Sequence, residues 1–336
     1  MVAKIKDVAS LAGVSTATVS HVINNTRYVS NEVKKKVTDA MQELNYLPNP
    51  AARSLRRQRS NIIGLIVPIK NNDSTQQYFM SIASGIESVL KKHGYHLLLS
   101  NSMENAEEEM ERIKVFNSQH IEGLIIAPTS GLGCGQDETP FGGYPVVYID
   151  RKPSCFEREG DCVVVDGFSS SYAGMKLLID QGHKRIGFVS GGLEISSTRS
   201  RFEAYRQALL DHGLPFQEDY IRKSLDTAWK AGYQLTAELF EQQHITALFA
   251  ANNTLGLGAT SYLREREVRI PQEFGILCYD DYEWTEVMTP SLTVIRQPTF
   301  KIGEQAAELL LQRISSPKKK SEEYQLPSEL ILRGSI

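Results

Sequence analysis

Cysteine is scarce in this chain of 336 residues: Cys134, Cys155, Cys162 and Cys278 are its only four. No two stand in the C-x-x-C spacing of metal and redox sites, so a zinc site or a disulfide framework is not expected, and the four read as buried or incidental thiols. Long apolar runs are missing as well. The longest, Ile62 to Ile69, has eight residues, against the roughly 20 that a spanning helix needs. The amino end, MVAKIKDVAS, carries two lysines but neither the apolar core nor the small-residue cleavage site of a secretory signal. A cytoplasmic protein with no membrane contact is the expectation.

Catalytic motifs are also absent. There is no P-loop, no H-E-x-x-H and no G-x-S-x-G. GLGCGQ (131–136) and GLGATSY (256–262) lack the third glycine that a dinucleotide fingerprint requires at its spacing. His93 and His96 flank a Gly-Tyr turn with no carboxylate or thiol nearby, which suits a solvated helix end better than a metal. No enzyme activity, metal or cofactor is expected.

What is present is an uneven charge. The net charge is -3, yet residues 1–60 hold ten Lys or Arg against four acids, or +6, and the remaining 276 residues hold 27 bases against 36 acids, or -9. A small basic head on a large acidic body suits a head that binds a polyanion and a body that does not. The length allows two to three domains, and 41% hydrophobic with 23% charged residues is ordinary for globular domains.

In the head, Ile5, Val8, Ala9 and Ala12 recur at helical spacing until Gly13 breaks the pattern, and Ser15 is placed to cap a second helix through Thr18, Val19, Val22 and Ile23. Two helices joined by a short glycine turn make a helix-turn-helix. A third helix follows from Ser30, with Val33, Val37, Met41 and Leu44 closing the core. The apolar side of the second helix leaves Thr16, Ala17, Ser20 and His21 facing away, where base edges could be read. Residues 48–59, PNPAARSLRRQR, look like a hinge: Asn49 can cap a short helix with Pro50 as its first residue, and so short a helix is marginal alone in water.

The run IKDVASLAGVSTATVSHVINNTRYVS followed by YLPNPAARSLRR resembles the DNA-binding head and hinge of the LacI/GalR family of bacterial transcription regulators, with the head nearest the purine-repressor branch. The resemblance implies that Thr16, Ala17 and His21 read bases in the major groove, and that Asn24, Tyr28 and Tyr46 meet phosphates. Lys4 is expected to be a further phosphate-contacting base. It also implies that Leu55 wedges into the minor groove at the operator centre with Arg56 beside it, an insertion that costs a few kcal/mol of unstacking, offset by the contacts that bending permits. The alternative for Leu55 is a buried leucine between linker and body.

The body holds a degenerate repeat. NIIGLIVP (61–68) and IEGLIIAP (121–128) correspond to KRIGFVSG (184–191) and ITALFAAN (245–252), with Gly64 to Gly187 separated by 123 residues and Leu124 to Leu248 by 124. Apolar strands alternating with amphipathic helices make right-handed crossovers, so two similar open parallel sheets are expected, with ligands beyond the carboxyl ends of the strands. The fold class expected is therefore α/β: a three-helix head at 1–47, a hinge at 48–60, and a body at 61–336 of two doubly wound parallel-sheet subdomains, one about 61–162 and 297–324, the other about 163–296 and 325–336. This body resembles the periplasmic sugar-binding proteins and the bodies of LacI/GalR regulators, in which the chain passes between the halves three times, here near Asp166, Pro298 and Pro327.

By local motif the resemblance assigns effector contacts to Tyr78, Phe79, Asp150, Arg151, Arg201, Asn252 and Asp280. Arginine and carboxylates around an aromatic floor suit a polyhydroxylated ring. Ile195 stands where the purine branch has a second arginine, and Thr227 where the family commonly has an aromatic, both of which argue against a purine. The expected function is a repressor, working as a homodimer on a near-palindromic double-stranded operator and controlled by a sugar or sugar derivative. A regulator answering to a protein co-repressor, or a cytoplasmic sugar-binding protein with a non-specific DNA-binding head, are the alternatives. Effector identity, and whether the effector induces or co-represses, stay open at this stage.

Overall fold

Capping residues set the helices of the head. In the computed structural model, which describes residues 3–24, 26–46, 60–70, 75–130, 141–153, 160–225 and 227–336, the chain divides into two units, Met1–Ser60 and Asn61–Ile336. The expected hinge helix with Leu55 and Arg56, the GLGCGQ loop, Cys134 and Cys155 lie outside the described residues. Helix α1 (Ile5–Ala12) begins where the Lys4 backbone N–H donates to the Asp7 carboxylate at 2.7 Å and ends at Gly13, whose φ of 65° is taken without strain only by glycine. Ser15 Oγ accepts from the Thr18 N–H at 3.1 Å to cap α2 (Thr16–Asn24). Ser30 caps α3 (Asn31–Glu43) in the same way, accepting from Val33. Val8, Ala9, Ala12, Val19, Val37 and Ala40 form the small core, with Met41, Leu44 and Tyr46 packed around it.

The body opens with β1 (Ile62–Val67), α4 (Thr75–Lys92), β2 (His96–Asn101), α5 (Ala106–Ser118), β3 (Gly123–Ile126), β4 (Val146–Ile149) and β5 (Asp161–Asp166). It continues through α6 (Gly167–Asp180), β6 (Ile186–Ser190), α7 (Ser196–Asp211), β7 (Ile221–Lys223), α8 (Trp229–Gln243), β8 (Ala247–Ala250), α9 (Asn253–Glu265), β9 (Gly275–Tyr279), α10 (Glu283–Val287) and β10 (Thr293–Arg296). Helix α11 (Thr299–Ser315) and strands β11 (Glu323–Pro327) and β12 (Glu329–Ile331) complete it. The strands form two six-stranded sheets, ordered β2-β1-β3-β4-β5-β11 and β7-β6-β8-β9-β10-β12. The order is the same in each, as the internal repeat requires. Every neighbouring pair is parallel except β10 with β12. Helices cover both faces of such sheets, so the central strands β3, β8 and β9 are buried throughout. Cys162 and Cys278 are buried, unpaired thiols.

The first subdomain extends past the limits expected at 162/163 and 324/325. β5 and β11 pair residue by residue from Cys162 with Glu323 to Asp166 with Pro327. A division at those limits would cut through a hydrogen-bonded ladder, so the chain leaves the first sheet after Asp166 and again after Pro327. At the crossing, Ser328 Oγ donates to the Asp166 carbonyl at 2.7 Å, and Ser170 Oγ donates to the Ser328 carbonyl at 2.9 Å. The third passage lies between β10, in the second sheet, and α11, which packs against α4 and the first sheet.

Glycines let the helices of each subdomain touch backbone to backbone. A Cβ on Gly85 of α4 would strike the Phe300 carbonyl oxygen, and one on Gly303 of α11 would strike that of Ile82. In the second subdomain Gly232 of α8 meets Leu255, and Gly258 of α9 meets Trp229, in the same manner. Backbone cannot rotate away as a side chain can, so the helices must part. Gly303→Ala is expected to lower stability by about 1–3 kcal/mol, read as an earlier urea midpoint at unchanged m-value; an unshifted midpoint would contradict this packing.

Candidate functional site

On the head, α2 exposes Thr16 and Ala17 and leaves His21 half-buried. The His21 ring uses Nδ1 against Thr26 Oγ1 at 2.9 Å, which orients the imidazole and leaves Nε2 for an outside partner. Asn24 is arranged differently from a simple phosphate donor. Its Nδ2 donates to the Ser20 carbonyl at 2.9 Å and Ser20 Oγ at 3.3 Å, and its buried Oδ1 has no partner among the described residues. A phosphate contact by this side chain requires the amide to leave Ser20. Tyr28 is 92% exposed, while Tyr46 leans its ring on the head core. Lys4 is exposed.

In the body, the polar residues gather beyond the strand ends. β4 ends into Asp150 at φ 65° and β9 into Asp280 at φ 73°, left-handed conformations in which a short polar side chain is tolerated best after glycine. Each aspartate donates its N–H to the neighbouring strand, Asp150 to the Val163 carbonyl at 3.2 Å and Asp280 to that of Ile295 at 2.9 Å. The carboxylates are therefore held at corresponding corners of the two sheets. Tyr78 Oη donates to Asp150 Oδ1 at 2.9 Å, Arg151 Nε donates to Asp150 Oδ2 at 2.9 Å, and Gln297 Nε2 donates to Asp280 Oδ1 at 2.5 Å.

Arg201, from the first turns of α7, is only 7% exposed. Its Nη1 donates to the Ala251 carbonyl at 2.7 Å, its guanidinium lies 3.5 Å from the Tyr279 ring centroid, and its buried Nε has no partner among the described residues. Burial opposes its charge, and Tyr279, Asp280 and Asp150 together outweigh that, holding its pKa above the ordinary arginine value. Burial, with Asp150 and Asp280, pushes the Tyr78 phenol well up, so it stays a neutral donor. Tyr78 and Phe79 meet edge to face, 5.0 Å between centroids. Asn252 Oδ1 caps α9 by accepting from the Leu255 N–H at 2.9 Å.

Tyr78, Phe79, Asp150, Arg151, Arg201, Asn252 and Asp280 all line one cleft enclosing about 760 Å³, part of it open to solvent. Ile195 and Thr227 line it too. Sequence reasoning missed Lys70, Glu104, Tyr282 and Gln297, which share the cleft. Tyr282 and Gln297 stand just past the ends of β9 and β10, so the strand-end rule extended by one or two residues would have found them. Lys70 and Glu104, three residues past β1 and β2 as Tyr282 is past β9, fall under the same extension. Among the described residues no group of His, Cys, Asp or Glu could hold a metal, and no helix is long and apolar enough to cross a membrane.

Behind the cleft lies a buried acid. Glu109, on the first turn of α5, is fully buried and accepts from the Thr129 N–H at 2.9 Å and Thr129 Oγ1 at 2.5 Å. Burial raises its pKa from 4.5 to about 7, Thr129 pulls it down, and the Glu104 charge adds to the rise. The folded state thus holds this proton more tightly than the unfolded chain. Its stabilisation is complete below pH 4.5 and is lost as pH rises through about 7. Glu109→Gln is expected to flatten the pH dependence of unfolding free energy between pH 5 and pH 8 by about 3 kcal/mol, measured by urea denaturation at each pH; a slope unaltered by the substitution would contradict the assignment.

Comparison with known proteins agrees with this geometry. Residues 4–49 match the family described as bacterial regulatory proteins, lacI family, and residues 175–336 match the periplasmic binding protein-like domain. The chain is 33% identical over 336 residues to the HTH-type transcriptional repressor PurR of Pasteurella multocida (strain Pm70), covering 99% of this chain and 98% of that protein. Its fold superposes on the lac repressor dimer bound to operator and the anti-inducer ONPF with a TM-score of 0.86 at 26% identity, over 100% of this chain and 99% of that one. It superposes on a LacI family regulator from Enterococcus faecium with bound ribose at a TM-score of 0.70 and 30% identity, over 82% of this chain and 98% of that one. A helix-turn-helix head joined to a two-sheet body with its polar residues in one cleft, and a full-length likeness to such repressors, have one reading: the chain belongs to the LacI/GalR family of bacterial, DNA-binding transcription regulators.

Proposed function

We propose that this regulator represses transcription by binding a near-palindromic operator as a homodimer, and that a neutral, sugar-like molecule in the body cleft changes its operator affinity. The observation that carries the effector half is the pair of strand-end aspartates, Asp150 and Asp280, held in one cleft with Arg201 and the aromatic pair Tyr78 and Phe79. Carboxylate and guanidinium groups bind vicinal hydroxyls in pairs, and aromatic side chains in the lining suit the apolar side of a sugar ring. The ribose held by the Enterococcus faecium regulator, of the same fold, supports the class.

A purine base is the second reading, favoured by the likeness to repressors named PurR over the whole chain. Against it stand Ile195 and Thr227 on the cleft wall. Ile195 offers no hydrogen bond to a base edge, and Thr227 offers no aromatic face to stack on.

Two heads are needed because one helix-turn-helix makes too few contacts for a specific site, and a palindrome matches a two-fold axis. In the second subdomain Leu225, Trp229, Leu257 and Val287 are apolar yet exposed, and a second copy of this chain is the occupant we assign to them. On the head, Thr16, Ala17 and His21 take the base-reading role, while Lys4 and Tyr28 contact phosphates.

Fluorescence anisotropy of an operator selected from random palindromes, beside random DNA of equal length, tests the whole reading at a protein concentration where sedimentation gives a dimer. His21→Ala is expected to weaken operator binding by about 1–3 kcal/mol and random-DNA binding not at all, whereas Lys4→Ala weakens both and flattens the salt slope. Millimolar ribose, glucose or cellobiose is expected to change operator affinity at least about fivefold, and Arg201→Ala to abolish that change. Equal affinity for operator and random DNA would overturn the regulator reading. A response to hypoxanthine or guanine with none to sugars would replace the sugar by a purine.

A further inference from the structure

The described charged residues of the cleft are Lys70, Arg151 and Arg201 against Glu104, Asp150 and Asp280, a balance of three and three. Glu104 lies three residues past the end of β2, as Lys70 lies three past β1, and its position is built at some conformational expense. Met103 and Glu104 both take left-handed backbone, φ 54° and 56°, where neither residue type is at ease. The turn is over-determined. Asn101 Oδ1 accepts from the Ile69 N–H and the Met103 N–H, each at 2.9 Å, Asn101 Nδ2 donates to the Ile69 carbonyl at 2.9 Å, and the Asn105 N–H returns to the Ser102 carbonyl at 2.9 Å.

The product of that turn is a clamp on Arg151. Arg151 Nη1 donates to both Glu104 oxygens at 2.9 and 2.8 Å, and its Nε is taken by Asp150. The Arg151 side chain is 11% exposed and that of Glu104 13%, so solvent screens the pair poorly. Nη2 alone has no described partner. Arg151 therefore offers the cleft one pair of N–H donors with its charge already answered, enough for a hydroxyl and too little for an anion.

We infer that Glu104 sets the charge class of the cleft ligand: by occupying the Arg151 guanidinium it admits uncharged polyols and turns away phosphorylated or acidic ones. This rests on the proposed reading of the cleft as the effector site and goes beyond it by assigning the selectivity to one residue. With the Glu104 charge gone, Arg151 presents Nη1 and Nη2 as a fork suited to bidentate phosphate or carboxylate, in a cleft with net charge +1.

The probe is inorganic phosphate, titrated calorimetrically into the full-length protein at fixed ionic strength. Wild type is expected to show only the weak background of its basic head. Glu104→Gln is expected to gain a site at least about tenfold tighter, and the double variant Glu104→Gln, Arg151→Met to lose it. Glu104→Asn repeats the test with a residue that accepts left-handed backbone, so that a poorly folded Gln variant still leaves an answer. Phosphate binding equal in wild type and in both single variants would overturn the inference, as would a gain that survives the loss of Arg151. The test needs no natural effector. A phosphate gain with no sugar response would sink the sugar reading and leave the role of Glu104 standing, and the reverse result would sink the role of Glu104 alone.

Discussion

Parallel strands all end on the same side, and that constraint organises the body. At the carboxyl ends the ladder stops and the chain must turn, so polar side chains and freed backbone groups collect there. A single sheet of this order has one such edge. Here the chain builds the order twice and crosses between the copies three times, at Asp166, after Arg296 and at Ser328, so both edges line the same cleft. Asp150 and Asp280 are the clearest sign of it, each left-handed, each just past the fourth strand of its sheet, each bonded to the fifth through its N–H.

Much of this was legible in the sequence because it depends on periodicity. The near-constant offsets between NIIGLIVP and KRIGFVSG, and between IEGLIIAP and ITALFAAN, imply two sheets of one strand order; the seven residues that the family resemblance assigns, at strand ends or on the helices beside them, line one cleft. The head was legible through Gly13 and the caps Ser15 and Ser30. What escaped depends on contacts between distant segments. Glu109 reads as one more acid in the run Glu107, Glu108, Glu109, and only the fold shows that the third of them is buried against Thr129. Glu104 sits in a turn held by tertiary hydrogen bonds, where only its place three residues past β2 marks it. The subdomain limits were misplaced within β5 and β11 because a strand's last rungs depend on its partner's length, which the pattern of one strand does not contain.

The links across the cleft suit a body that moves. Lys70 Nζ donates to the Leu225 carbonyl at 2.9 Å, Gln77 Nε2 to Glu283 Oε2 at 3.1 Å, and the Lys152 N–H to Ser196 Oγ at 3.0 Å, each joining the first subdomain to the second. Such bonds contribute about 0.5–1.5 kcal/mol apiece, so a few of them amount to the 1–3 kcal/mol typical of coupling between two ligands. A ligand bonded to both aspartate corners adds to the same set. Each subdomain core has its helices locked at glycine contacts, and the crossing strands are the covalent links between the two.

Coupling of this kind must be reciprocal, and that gives the account its most direct test. For whichever small molecule alters operator affinity, its own affinity for the protein is to be measured calorimetrically with and without saturating operator DNA, at one salt concentration. The account predicts that operator changes the ligand's dissociation constant by the same factor, and in the same sense, as the ligand changes the operator's. A ligand affinity indifferent to operator would mean that the cleft and the DNA-reading head do not share an equilibrium, which would contradict it.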